Sequence, residues 1–209
     1  MRRRALTALL LASVVALPGL ASAAPAGCML LTDPAGDATV SVGVTPDGTG
    51  AGVVPNESSL DLTSVQLGST GRDLVAMVTT VGLTASDPQS PLGQYFGVAF
   101  QIGRTRLLLE GVVTPLAHRA TLSHVDSNAS SPGAMVIDPA RHTLRLIVPL
   151  ATIGQYVAVG RGTKVTAISA MTQRVVGATD PNGFDARAMV ATDHATTTRT
   201  YVIGAAQRC

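Results

Sequence analysis

At 209 residues, 46% of them apolar and 13% charged, the chain suits one domain with an ample core. That core must be aliphatic, because there are three Tyr, three Phe and no Trp. The formal charge of +2 rests on Arg2, Arg3 and Arg4; setting them aside turns 15 basic residues into 12 against 13 acidic, which excludes the basic surface of a nucleic-acid binder.

The first element in chain order reads as an export signal. Arg2 to Arg4 form a positive start, Leu6 to Leu17 an apolar run too short for a stop-transfer helix, and Ala21-Ser22-Ala23 a small-x-small cleavage site. Cleavage is expected after Ala23, leaving 24–209 as a single secreted domain. A lipoprotein is the alternative: Pro25-Ala26-Gly27 places small residues before Cys28 but lacks the usual aliphatic residue three positions upstream. No later apolar stretch is long enough for a membrane helix, so the mature chain is expected to have no transmembrane segment. In an exported chain its two cysteines, Cys28 and Cys209, read as one disulfide that brings the ends together, with free thiols as the alternative.

Period-two patterns dominate the mature chain. Leu60 and Leu62 share one parity, Val65 and Leu67 the other, so a β-bulge is expected at Thr63-Ser64. Asp73 to Val81 reads as a strand covered on both faces. Gln94 to Ile102 alternates cleanly, with Phe96, Val98, Phe100 and Ile102 on the core face. Arg104 to Glu110 comes next across Gly103 as its hairpin partner. Arg104, Arg106 and Glu110 on that strand read as a solvated face or a polar contact surface. His142 to Val148 alternates again, Pro149 to Ile153 suits one helical turn, and Thr163 to Val176 is a further strand.

Punctuation between these runs is heavy. Asp-Pro occurs at Asp33, Asp87, Asp138 and Asp180, and each pair sets a turn-forming carboxylate before a fixed φ. Segments 45–59, 83–93 and 126–133 read as loops. Only Glu57 and Glu110 are Glu, and such an excess of Asp favours turns over helices. The pattern predicts an all-β fold, an antiparallel β-sandwich of jelly-roll or immunoglobulin-like type, with at most one short helical turn.

Three segments carry a family likeness: Asp33-Pro34-Ala35-Gly36-Asp37, then Leu60-Asp61-Leu62-Thr63-Ser64-Val65, then Leu146-Ile147-Val148-Pro149-Leu150-Ala151-Thr152-Ile153-Gly154. Together the chain resembles the DOMON-like, family-9 carbohydrate-binding-module-like β-sandwiches of exported bacterial proteins, and a set of small secreted actinobacterial proteins of unknown role. The resemblance implies a sandwich, in some members a structural calcium ion, and sugar or haem binding in others. This chain departs from it by having no Trp, few aromatics for stacking a pyranose, and Arg145 where a glutamate is common.

Carboxylates at turns are natural ligands for a hard cation. Asp33 and Asp37 bracket one turn, and Asp61 joins them if its strand packs beside it. Asp180 and Asp185 bracket a second, similar turn. The competing reading is that these carboxylates cap turns. Neither loop has the EF-hand pattern. His118, His124, His142 and His194 have no zinc-ligand spacing. Met29, Met77, Met135, Met171 and Met189 read as core filler or loop residues, with an axial haem ligand the alternative the resemblance adds. No Gly-x-Ser-x-Gly elbow marks a hydrolase.

These readings lead to an exported, non-catalytic binding module, stabilised by Ca²⁺ and binding carbohydrate at the cell envelope. Its partner is then a polysaccharide or an envelope protein, not nucleic acid. The alternatives are a structural or protein-interaction domain without a small ligand, and an unrecognised secreted hydrolase.

Overall fold

The computed structural model describes residues 27–42, 53–55, 58–84, 93–114, 116–176 and 189–205. The strands are β1 (Cys28–Thr32), β2 (Thr39–Val42), β3 (Val53–Pro55), β4 (Leu62–Ser69), β5 (Asp73–Thr80), β6 (Gln94–Ile102) and β7 (Thr105–Val113). They continue with β8 (His118–His124), β9 (Ala129–Asp138), β10 (Thr143–Pro149), β11 (Lys164–Val176), β12 (Met189–Thr197) and β13 (Tyr201–Val202). One helical turn, α1 (Leu150–Ile153), comes after Pro149, and a 3₁₀ turn, Pro139–Arg141, precedes β10. The fold is all-β and antiparallel throughout, as the alternation predicts.

Strand order is β1-β4-β5-β10-β9-β8-β7-β6-β11-β12-β2-β3, with β13 added on β11. The path folds over at β9, so that β10 lies across the core from β7 and β8, and β4 across from β11 and β12. Gly111 of β7 shows how close the layers come: a Cβ there would meet Leu146 Cδ2 of β10 at 2.6 Å and Met135 Sδ of β9 at 2.9 Å. The nearly closed sheet leaves few unpaired strand edges.

The core obeys the parity of the sequence. Phe96, Val98, Phe100 and Ile102 of β6 are buried, as are Leu144, Leu146 and Val148 of β10. The bulge falls where the parity breaks: the β4–β5 register shifts between Leu62 and Ser64. It lets Leu60, Leu62, Val65 and Leu67 all bury completely.

Two loop readings are corrected. Segment 126–133 contains the start of β9, where Ala129 to Gly133 pair with β8. Its Ser-Pro-Gly composition reads as a turn, but these positions sit at the fold of the sheet, where exposure is high and ladder bonds, with the Ser131 hydroxyl on Tyr156, hold them. Segment 45–59 contains β3, which pairs with β2. The export signal 1–23, Cys209, and the turn of Asp180 and Asp185 lie outside the described residues.

Candidate metal centre

Three chain segments meet at the N-terminal end of β4. The β1–β2 turn brings Asp33 and Asp37, and β12 brings Asp193. A carboxylate oxygen from each lies within 4.8 Å of the other two. Asp33 is half-buried, Asp37 exposed and Asp193 buried. Asp33 is set in place by its own amide, which donates to Thr63 O at 2.9 Å, at the bulge.

Asp61, expected from the sequence as a partner of Asp33 and Asp37, is not one of the three whose oxygens meet within 4.8 Å; it holds the turn between them, and its charge acts on Asp33. Asp61 is 0% exposed. Its Oδ2 accepts the Gly36 amide at 2.8 Å, inside the turn that Asp33 and Asp37 bracket. Gly36 suits that turn because its φ is +100°, a backbone conformation side chains resist. Asp61 Oδ1 and Asp33 Oδ2 are both buried with no hydrogen-bond partner among the described residues.

Asp193 is the residue that sequence reading missed. Its Oδ2 accepts the Leu62 amide at 2.7 Å, and its Oδ1 the His194 amide at 2.6 Å. It lies mid-strand, without a turn signal, and only the pairing of β12 between β11 and β2 delivers it to the cluster. The available signal was an acid on the same parity as the inward Ala195.

The electrostatics reflect this crowding. Asp33 is pushed up to about 6, first by burial and then by the charges of Asp193, Asp37 and Asp61, with His194 opposing. Asp193 is raised as well, chiefly by burial, while the Leu62 and His194 amides pull it down. Four carboxylates sharing one corner, two of their oxygens buried and unbonded, are a repulsive arrangement in the absence of a cation. The donor set is all oxygen, with no thiolate or imidazole, which fits Ca²⁺ or Mg²⁺ in preference to zinc.

The remaining sequence candidates are dispersed. His118 and His124 stand at opposite ends of β8. His124 instead stacks on Tyr156, with ring centroids 5.7 Å apart and planes 8° from parallel. Tyr156 Oη lies 2.6 Å from Ser131 Oγ, and His124 Nδ1 lies 2.5 Å from Ser127 Oγ. This stack seals one margin of the core, against which Tyr156 packs. The His124–Ser127 contact is a bond within an exposed turn. Arg106 on β7 pairs with Asp126 across to the next turn. Met135 packs on the core, whereas Met171 is 39% exposed on the outer face.

Comparison with known protein families, characterised proteins and solved structures finds no match to this chain.

Proposed function

We propose that the chain is an exported, non-catalytic binding module of the cell envelope, stabilised by Ca²⁺ where Asp33, Asp37, Asp61 and Asp193 converge. The observation that carries this reading is the pair of buried, unpartnered carboxylate oxygens on Asp33 and Asp61, beside carboxylates already within 4.8 Å of one another. Such groups are stabilised by a cation that several of them share. The ion would tie together the β1–β2 turn, the start of β4 and the middle of β12, segments otherwise joined here by a few backbone bonds. The test is a pair of thermal melts, one with calcium and one after verified metal removal. A clear upward shift with calcium is expected; superimposable curves reject the ion.

Carbohydrate is the ligand class that the family resemblance brings. A protein partner is the second reading, and one observation favours it. On the outer face of β6 and its neighbours, Met171 and Leu108 close over Gly97, where a Cβ would meet their side chains at 3.0 and 3.2 Å. Tyr95, two residues from Gly97 on the same face, is partly buried, so the face pairs aliphatic surface with one ring and offers no broad aromatic platform. A polysaccharide array, run with and without calcium, separates the two. Calcium-dependent retention on a glycan supports the sugar reading, and an empty array supports the protein partner.

A further inference from the structure

At the other end of β4, roughly 20 Å from the acidic corner at the rise of an extended strand, four turns enclose a hollow of about 460 Å³. Ser69 and Thr70 close it on the β4–β5 side, Leu150 comes from the start of α1, Arg161 from the turn before β11, and Ile203 and Gly204 from the C-terminal segment. Among the described residues no carboxylate lines it. We propose that this hollow binds a small organic carboxylate with an apolar body, a site independent of the cation.

The chemistry of the lining is asymmetric. Among the described residues Arg161 is the one charged side chain in it, and it forms no ion pair there. Ser69 Oγ accepts from Tyr201 Oη at 2.7 Å and from the Gly204 amide at 2.8 Å. With both lone pairs in use, its hydroxyl hydrogen is left as a donor. Thr70 Oγ1 is spent on its own turn, accepting the Arg72 and Asp73 amides and donating to Asp73. Leu150 and Ile203 supply the apolar wall. A guanidinium, a hydroxyl donor and an aliphatic wall together suit a carboxylate head on a short hydrocarbon.

The walls are fixed before any ligand arrives. Arg161 sits at the second position of a tight turn closed by the Thr163 amide on Gly160 O at 3.1 Å. Gly162 takes the third position with φ +88°. That turn is bonded to the C-terminal segment through Gly162 N to Ile203 O at 2.8 Å and Ile203 N to Thr163 O at 2.9 Å. Leu150 is anchored by its amide on Arg72 O at 2.7 Å. The Arg161 stem lies against Gly204, where a Cβ would meet Arg161 Cγ at 3.0 Å, so glycine there lets the side chain lie over the hollow. Preorganised walls cut the ordering cost of binding.

The test titrates the full exported chain with hexanoate, hexanol and hexylammonium, one at a time, by calorimetry and by amide chemical shifts. Hexanoate should bind saturably, at least tenfold more tightly than hexanol, with shifts centred on Ser69, Arg161 and Gly204. Arg161→Gln should reduce hexanoate affinity about tenfold and leave hexanol unchanged, while Arg161→Lys should keep part of the preference. Each protein's melting curve verifies folding. Equal affinity for hexanoate and hexanol, no saturable binding of hexanoate, or an Arg161→Gln variant that binds hexanoate as before would each overturn the site.

Discussion

The Asp193 carboxylate takes the Leu62 amide at 2.7 Å, joining β12 to the start of β4 across 131 residues of sequence. Its other oxygen holds the His194 amide. Asp193→Asn leaves one acceptor oxygen for two amides and turns an NH₂ group toward the second. A buried amide without a partner costs about 1–3 kcal/mol, less whatever is recovered by removing one charge from a crowded corner. Urea unfolding should therefore show a modest loss in metal-free protein and a larger one in calcium. If the variant gains as much from calcium as the parent does, Asp193 is not a ligand.

The same corner sets a pH dependence. Asp33 titrates at about 6 when folded, above its ordinary 3.8, and Asp193 is shifted in the same direction. A carboxyl that holds its proton more tightly in the folded state stabilises the fold at low pH. That contribution is complete below about 3.8 and is lost as pH rises through about 6. Asp126 and Asp138, lowered by hydrogen bonds from Arg106 and Arg141, act oppositely, but only as pH falls through the acid side of the ordinary range. Metal-free protein should accordingly melt higher at pH 5 than at pH 7. Calcium should raise the melting temperature more at pH 7, where Asp33 has largely lost its proton. Metal-free melts that rise from pH 5 to pH 7 would show that this corner does not govern the window.

What the sequence discloses of this fold is what local pattern and composition can carry. Strands β6 and β10 are read from side-chain parity, β5 and β11 from their Val-, Thr- and Met-rich composition and β7 from the turn at Gly103, and even the bulge in β4 is legible because Leu60 and Leu62 fall out of phase with Val65 and Leu67. β9 is not, because a strand at the fold of a sheet is partly exposed on both faces and tolerates Ser130, Pro132 and Gly133. β12 is not, because its Thr and Ala side chains make a weak pattern. The site divides in the same way. Asp33, Asp37 and Asp61 lie in turns or at a strand start, where short-range signals exist. Asp193 enters through topology, and the hollow at Arg161 is assembled from four turns with no motif in common.

The proposed Cys28–Cys209 bridge is supported by where the described ends lie. Cys28 pairs opposite Leu67 on β4. Two residues along that strand, Ser69 holds Gly204 and Tyr201. Arg199 also donates to Met29 O at 3.0 Å. From Ala205 four residues lead to Cys209, and an extended run of that length reaches roughly 13 Å. Closing so long a loop stabilises by about 4–5 kcal/mol in the chain-entropy picture. Native protein should resist thiol alkylation until reduced, and reduction should lower its melting temperature. Labelling of either cysteine before reduction excludes the bridge.

Two glycines separate backbone strain from steric crowding. Gly103 opens the two-residue loop between β6 and β7 with φ +60°, the positive angle a type II′ turn requires at its first position. A Cβ there meets nothing within 4 Å. Gly93, just before β6, has φ +94°, and a Cβ there would stand 2.7 Å from Val113 O and 2.9 Å from Thr114 Cγ2. Gly103→Ala should cost only the positive-φ penalty of that turn position, about 1–3 kcal/mol. Gly93→Ala adds a clash with a carbonyl held in the β6–β7 ladder, which cannot swing aside as a side-chain tip can, and should cost about 3 kcal/mol or more. Chemical denaturation of the two variants checks the order. Equal losses would mean that the β6–β7 pairing at Val113 yields easily, and that β6 begins later in solution than its ladder with β7 implies.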